Sequence, residues 1–131
     1  MGVTYLLDTH ALLWLVGEPD LVPAGLRDEL ATADTTLLVS AASAMEIATK
    51  HRLGKLPAGG LVVESWCERM DDLDAHELDV SPRHALLAGS LDWVHRDPFD
   101  RLLAAQAIAE NVPLVTRDPV LASFAPVRTR W

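Results

Sequence analysis

Cysteine is almost absent from this chain: Cys67 stands alone among 131 residues. One thiol cannot build a disulfide framework within a chain, and such a composition suits a reducing cytosol. Basic residues are scarce as well, 11 Lys and Arg against 19 Asp and Glu, for a formal net charge of −8. That balance argues against tight attachment to phosphate, which rests on clustered Lys and Arg. No apolar run near the N-terminus approaches the ~20 residues of a membrane span; the longest is Ala11 to Val16. A secretory signal, with its basic start and following apolar stretch, is also missing there. The expectation is a soluble, cytoplasmic protein with no membrane partner.

Linker-like segments, internal repeats and low-complexity tracts are lacking too. What is present is 50% hydrophobic and 23% charged, a composition that excludes a disordered tail and supplies a core for one domain spanning residues 1–131. Val3–Leu7, Leu37–Val39, Glu77–Val80 and Val112–Thr116 read as strands, the third the weakest. Continuous apolar runs such as the first, second and fourth resemble strands buried on both faces of a parallel sheet. Helical patterns lie between them: Thr9–Val16, Pro23–Ala33, Ala41–Leu53 closed by Gly54, Leu61–Met70, Pro82–Leu91 opened by Ser81, and Pro98–Glu110 opened by Asp97. Strands alternating with helices imply a doubly wound α/β domain, whose ligand crevice lies beyond the carboxyl ends of its strands.

Acids collect at that edge. Asp8 closes the first strand, Asp118 follows the last by two residues, Asp97 and Asp100 open the Pro98 helix, and Glu46 lies in the helix after the second strand. Gathered carboxylates raise one another's pKa unless a cation neutralises them, and a hard divalent ion does so with oxygen ligands. Each acid also has a plainer role. Asp97 and Asp118 precede prolines as N-caps, and Asp100 sits at the third helical position, where the helix dipole favours it. Glu46 stands three residues after Ser43, the spacing of a capping box, and four before Lys50, the spacing of a surface ion pair. Asp8 is hardest to explain as a cap, unless it caps the Thr9 helix.

Other chemistries find little support. His10, His51, His76, His84 and His95 show no zinc-ligand spacing with Cys67 or with one another, and His51 and His84 read as solvated helix residues. There is no G-x-S-x-G elbow, Walker A loop or G-x-G-x-x-G sequence. Trp14, Trp66, Trp93 and Trp131 form no stacking series, so core packing or an interface is their expected use. Seven acids between Glu64 and Asp79, against the single Arg69, read as a solvated face where RNA cannot dock.

Four segments in order carry a family resemblance. Val3 to Leu13 (V-T-Y-L-L-D-T-H-A-L-L) resembles the opening strand and first acidic motif of PIN-domain ribonucleases. Ser40 to Ile47, with Lys50 and Gly54-Lys55-Leu56 behind it, resembles their second motif; Met45 departs from the aromatic residue often seen before the glutamate. His95 to Gln106 resembles the third and Leu114 to Asp118 the fourth. Each motif is short, but four in order cover nearly the whole chain. Its compact size is similar to that of VapC-type toxins of bacterial toxin–antitoxin pairs.

The resemblance implies a PIN-like three-layer α/β/α sandwich with a central parallel sheet, and an endoribonuclease dependent on Mg²⁺ or Mn²⁺. By position, its acids are Asp8, Glu46, Asp100 and Asp118, with Asp97 in support. Asp8, Asp100 and Asp118 are the expected metal ligands, and Glu46 would orient the attacking water or hold a second ion. Thr9 and Thr116 are expected to bond to coordinated water or phosphate, and Arg96, Arg101 and Arg117 to contact RNA. Expected partners are an RNA substrate, a cognate VapB-like antitoxin covering the site with a basic residue, and a second copy of the chain. Two other readings stand beside this one: a catalytically silent PIN-like module that binds RNA or protein, and a phosphotransfer domain with Asp8 as nucleophile. The second is weakened because His10 stands where a second aspartate is usual.

Overall fold

The computed structural model describes residues 2–131. Five parallel strands form its sheet: β1 (Val3–Leu7), β2 (Thr35–Ser40), β3 (Ala75–Leu78), β4 (Leu114–Val115) and β5 (Thr129–Arg130), in the order β3-β2-β1-β4-β5. Residues on β1 alternate between two cores, as the two-residue period of a strand requires. Tyr5 and Leu7 join Leu12, Val22, Leu26, Leu37, Val39 and Ile47 on one face. Leu6 joins Leu103, Ala104, Leu114 and Leu121 on the other. Helices therefore cover both faces, giving the expected α/β/α sandwich around a parallel sheet.

Local chemistry sets most helix ends. α1 (Thr9–Gly17) starts where the Asp8 carboxylate accepts the Ala11 N–H at 2.7 Å. α2 is Ala24–Leu30. α3 (Ala41–Arg52) is capped by Ser40, whose hydroxyl accepts from Ala42 N–H. It ends in a Schellman arrangement: Lys55 N–H donates to the Lys50 carbonyl and Gly54 N–H to that of His51, with Gly54 at φ 73°. α6 (Pro82–Ser90) and α7 (Pro98–Glu110) begin at Ser81 and Asp97 as expected.

Several boundaries differ from the sequence reading. The single helix expected over Leu61–Met70 is two, α4 (Gly59–Glu64) and α5 (Trp66–Leu73), parted at Ser65, whose hydroxyl bonds back to the Leu61 carbonyl. β3 lies two residues before the expected Glu77–Val80, β4 is shorter than Val112–Thr116, and both β5 and the short α8 (Pro119–Ala122) are additional. His84 is buried, not solvated. It completes a capping box with Ser81, and its Nε2 lies 3.2 Å from Glu110 Oε2. The seven acids between Glu64 and Asp79 are all exposed, as expected.

Register places the site. Leu7 on β1 pairs with Val115 on β4, so Asp8 and Thr116 leave the sheet side by side, and Asp8 N–H donates to the Val115 carbonyl at 3.0 Å. The chain runs from β1 to β2 on one side and later reaches β4 on the other. The loops after β1 and β4 therefore diverge and leave a crevice between them. Leu6 has no exposed surface at the centre of this arrangement. Leu6→Ala should destabilise the protein by about 3 kcal/mol, read in urea denaturation as a lower midpoint with an unchanged slope.

Candidate active site

Asp8 is 6% exposed. Burial pushes its carboxyl above the ordinary aspartate range, against hydrogen bonds from Thr116 and the Ala11 N–H and the nearby His10; the charge of Asp100 adds to the rise. Thr116, itself buried, also accepts the Asp118 N–H at 3.0 Å, so one hydroxyl ties Asp8 to the backbone of Asp118. The Asp118 carboxylate caps α8 through the Val120 N–H at 2.9 Å. Asp8 and Asp118 line an open cleft of about 340 Å³ with His10, Trp14, Arg117 and Pro119.

The other half of the site is built by α3 and α7. Glu46 is buried on α3, where Thr9 donates to its Oε1 at 2.6 Å and Lys50 pairs with its other oxygen. Ser43 Oγ lies 3.0 Å from the Thr9 hydroxyl. Asp97 caps α7 by accepting the Asp100 N–H at 3.0 Å, and His95 Nε2 lies 2.7 Å from Asp100 Oδ2. Burial pushes the Asp100 carboxyl up; His95 opposes the rise and the charges of Asp97 and Glu46 reinforce it. Burial works against the charge on Lys50, but the bond to Glu46 and the fields of Glu46, Asp97 and Asp100 outweigh it, holding the ammonium above the usual lysine range.

The fold thus brings all four expected acids to one edge of the sheet, in two halves coupled by charge between Asp8 and Asp100. The threonines are there too, with hydroxyls turned to Glu46 and to Asp8 rather than to solvent. Arg96 and Arg117 are exposed. Arg101 does not fit the expected RNA contact. Its guanidinium donates to the carbonyls of Ala88, Leu91, Trp93 and His95, leaving one of five N–H groups free, so it braces the segment that carries His95. Lys50 and His95 are the site residues that the sequence reading did not assign a role. Lys50 was legible only as the surface partner of Glu46, and His95 only as part of the third motif.

Among the described residues, no three His, Cys, Asp or Glu side chains are gathered closely enough to hold a metal ion by themselves. The donor chemistry nevertheless fits a hard divalent cation. The acids are oxygen donors that repel one another, and Lys50 and His95 already occupy two of them. Mg²⁺ needs only one or two carboxylates, since it keeps several waters.

A PIN domain family model matches residues 5–125. The chain belongs to the PIN domain family. This PIN domain is 31% identical over 131 residues to Ribonuclease VapC22 of Mycobacterium tuberculosis, covering 98% of each chain. Among solved structures, its fold is similar to that of VapBC2 from Rickettsia felis, bound to a DNA fragment from their promoter, with a TM-score of 0.70 and 20% identity over 98% of both chains. It is also similar to VapBC-1 from nontypeable Haemophilus influenzae, with a TM-score of 0.65 and 17% identity over 98% of this chain and 97% of that one. FitAcB from Neisseria gonorrhoeae gives a TM-score of 0.59 at 19% identity over 95% of each.

Two outcomes test the site as built. Because the Asp100 carboxyl is raised, the folded state keeps its proton longer than the unfolded chain. Its favourable contribution is therefore present below the ordinary value of 3.8 and is lost as pH rises through the raised one. Asp100→Asn should melt above the wild type at pH 7 in EDTA, with the gap closing on acidification towards that ordinary value; an equal gap at both ends would contradict the assignment. Arg101→Met should cost about 2 kcal/mol by unpairing half-buried carbonyls, seen as a lower thermal midpoint.

Proposed function

We propose that this PIN domain is a divalent-metal-dependent endoribonuclease acting as the toxin of a toxin–antitoxin pair. The observation that carries the proposal is the convergence of Asp8, Glu46, Asp100 and Asp118 at the β1–β4 crevice, where burial and mutual repulsion leave Asp8 and Asp100 in need of a cation. Asp8 and Asp100 would hold Mg²⁺ or Mn²⁺ directly, with Asp118 completing the set. A bound divalent ion activates water for attack on the scissile phosphate and offsets the charge that develops there.

The chain's own residues supply the rest. Thr116 fixes Asp8 beside Asp118. Thr9 and Lys50 hold the Glu46 side chain oriented, so that its carboxyl group can direct the attacking water. His95, which contacts Asp100 Oδ2, would lie beside the reacting groups if Asp100 held the ion. Kinship with Ribonuclease VapC22 supports the substrate class, and likeness to the VapBC structures supports a VapB-like antitoxin as partner; a second copy of the chain in that complex is proposed with it. An antitoxin side chain bearing positive charge would satisfy the same carboxylates that the ion does.

Purified protein should cleave RNA in Mg²⁺ or Mn²⁺ and stop in EDTA. Asp8→Asn should lower the rate by about a hundredfold or more, since several kcal/mol of charge stabilisation is lost. Expression should arrest growth, with Asp8→Ala abolishing the effect. Cleavage undiminished by EDTA would sink the proposal. The alternative is a silent module that binds RNA or protein. Calorimetry showing no Mn²⁺ binding to the wild type would select it.

A further inference from the structure

Trp14 stands on α1, six residues after Asp8, and its half-buried indole meets three groups. His10 packs at 5.7 Å between centroids, Trp131 approaches edge-on at 5.6 Å, and the Arg117 guanidinium lies over the ring, 4.6 Å from its centroid. Arg117 is exposed and adjoins Asp118, yet among the described residues it makes no side-chain hydrogen bond or ion pair. It lies over the indole instead. A guanidinium held over an aromatic face still has N–H donors to offer a further partner, and an ammonium does not reproduce its planar fork.

The surrounding cleft has Asp8 and Asp118 among its lining residues. An incoming phosphate is therefore repelled across much of it, and Arg117 is the arginine that lines it. Its volume of about 340 Å³ falls at the small end of small-ligand sites, too little for a duplex. We infer that Trp14 and Arg117 form a subsite for one unpaired nucleotide of single-stranded RNA, flanking the scissile bond. Arg117 takes the neighbouring phosphate, and Trp14 is the positioning residue that holds the guanidinium over its ring while its rim packs against the sugar or base. This assignment rests on reading the site as a ribonuclease. It places the strand's path on the β4 side of the crevice, away from Lys50.

The test uses the full chain with a short single-stranded RNA and the same sequence as a duplex. Steady-state cleavage is measured in Mn²⁺, and equilibrium binding in EDTA on an Asp8→Asn background. Trp14→Leu and Arg117→Lys should each raise KM and weaken single-strand binding about five- to tenfold, with kcat unchanged. Trp14→Phe should restore most of the loss. The double variant Trp14→Leu/Arg117→Lys should be no weaker than the worse single, because the two residues act as one unit.

Arg117→Lys binding as tightly as wild type would overturn the subsite, because charge alone would then suffice. So would equal losses for duplex and single strand, or variants altered only in association with a protein partner. Because Arg117 is exposed, its variant decides the matter even if Trp14→Leu melts early. Cleavage by the wild type with unaffected variants removes the subsite alone. RNA binding that depends on Trp14 and Arg117, without any metal-dependent cleavage, removes the nuclease reading and leaves the subsite standing.

Discussion

Like charge brought to one sheet edge is the constraint around which this molecule is arranged. Leu7 and Val115 share a register position, so the chain leaves β1 and β4 at the same level, and Asp8 and Asp118 come with it. The segments that follow are helices, and their N-termini carry a partial positive charge of roughly half a unit. Asp8 caps α1, Asp97 caps α7 and Asp118 caps α8. Capping and metal binding are therefore not rival explanations of these aspartates. The same helix termini that favour a carboxylate at each position also make it tolerable to bring several together.

Backbone amides do not neutralise the cluster evenly. The α3–α7 half carries its own partners: the Lys50 ammonium on Glu46 and the His95 imidazole beside Asp100. On the β1–β4 half, Asp8 has one backbone N–H and the Thr116 hydroxyl, while burial keeps its carboxyl raised. The unmet need for positive charge is thus greatest at Asp8 and at its coupling to Asp100. Positive charge is most favourable between the two halves, where His10 and His95 offset only part of the burial and repulsion at Asp8 and Asp100. Lys50 is then a fixed counter-charge to Glu46 that does not occupy that position.

The parts of the fold legible in the sequence were those whose signals are local. Val3–Leu7 is a closed apolar run, Ser81-Pro82 and Asp97-Pro98 announce helix starts, and Gly54 alone could take φ 73° after α3 without strain. β5 was not legible because two residues, Thr129 and Arg130, carry no period, and only pairing to β4 makes them a strand. The break at Ser65 was hidden because one residue interrupts an otherwise helical pattern. His84 read as solvated because its burial depends on Glu110, distant in sequence, although its place three residues after Ser81 was a signal for a capping box. At the site the four acids were legible by motif. The roles of Arg101 and His95 were not, because they depend on carbonyls and a carboxylate that only the loop before α7 brings together.

The net charge of −8 misleads because it averages over segregated surfaces. The exposed acids from Glu64 to Asp79 cluster around α5 and β3, and β3 is one edge of the sheet, two strands from β1. At about 4.8 Å between strands, that is about 10 Å from β1 and half as far again from β4, at or beyond the screening length of ~10 Å in 0.1 M salt. Arg117, Arg128 and Arg130 lie instead on or beside β4 and β5, at the opposite edge. Arg130 is paired with Glu29, and Arg128 donates to Asn111. That leaves Arg117 as the cation of this group free to meet an anionic polymer. A polyanion would thus meet screened repulsion on one flank and the Arg117 guanidinium on the other, with the site's carboxylates between them. Such a surface disfavours nonspecific coating by nucleic acid, and under the proposed function a phosphate chain would enter only along a path that a bound ion completes.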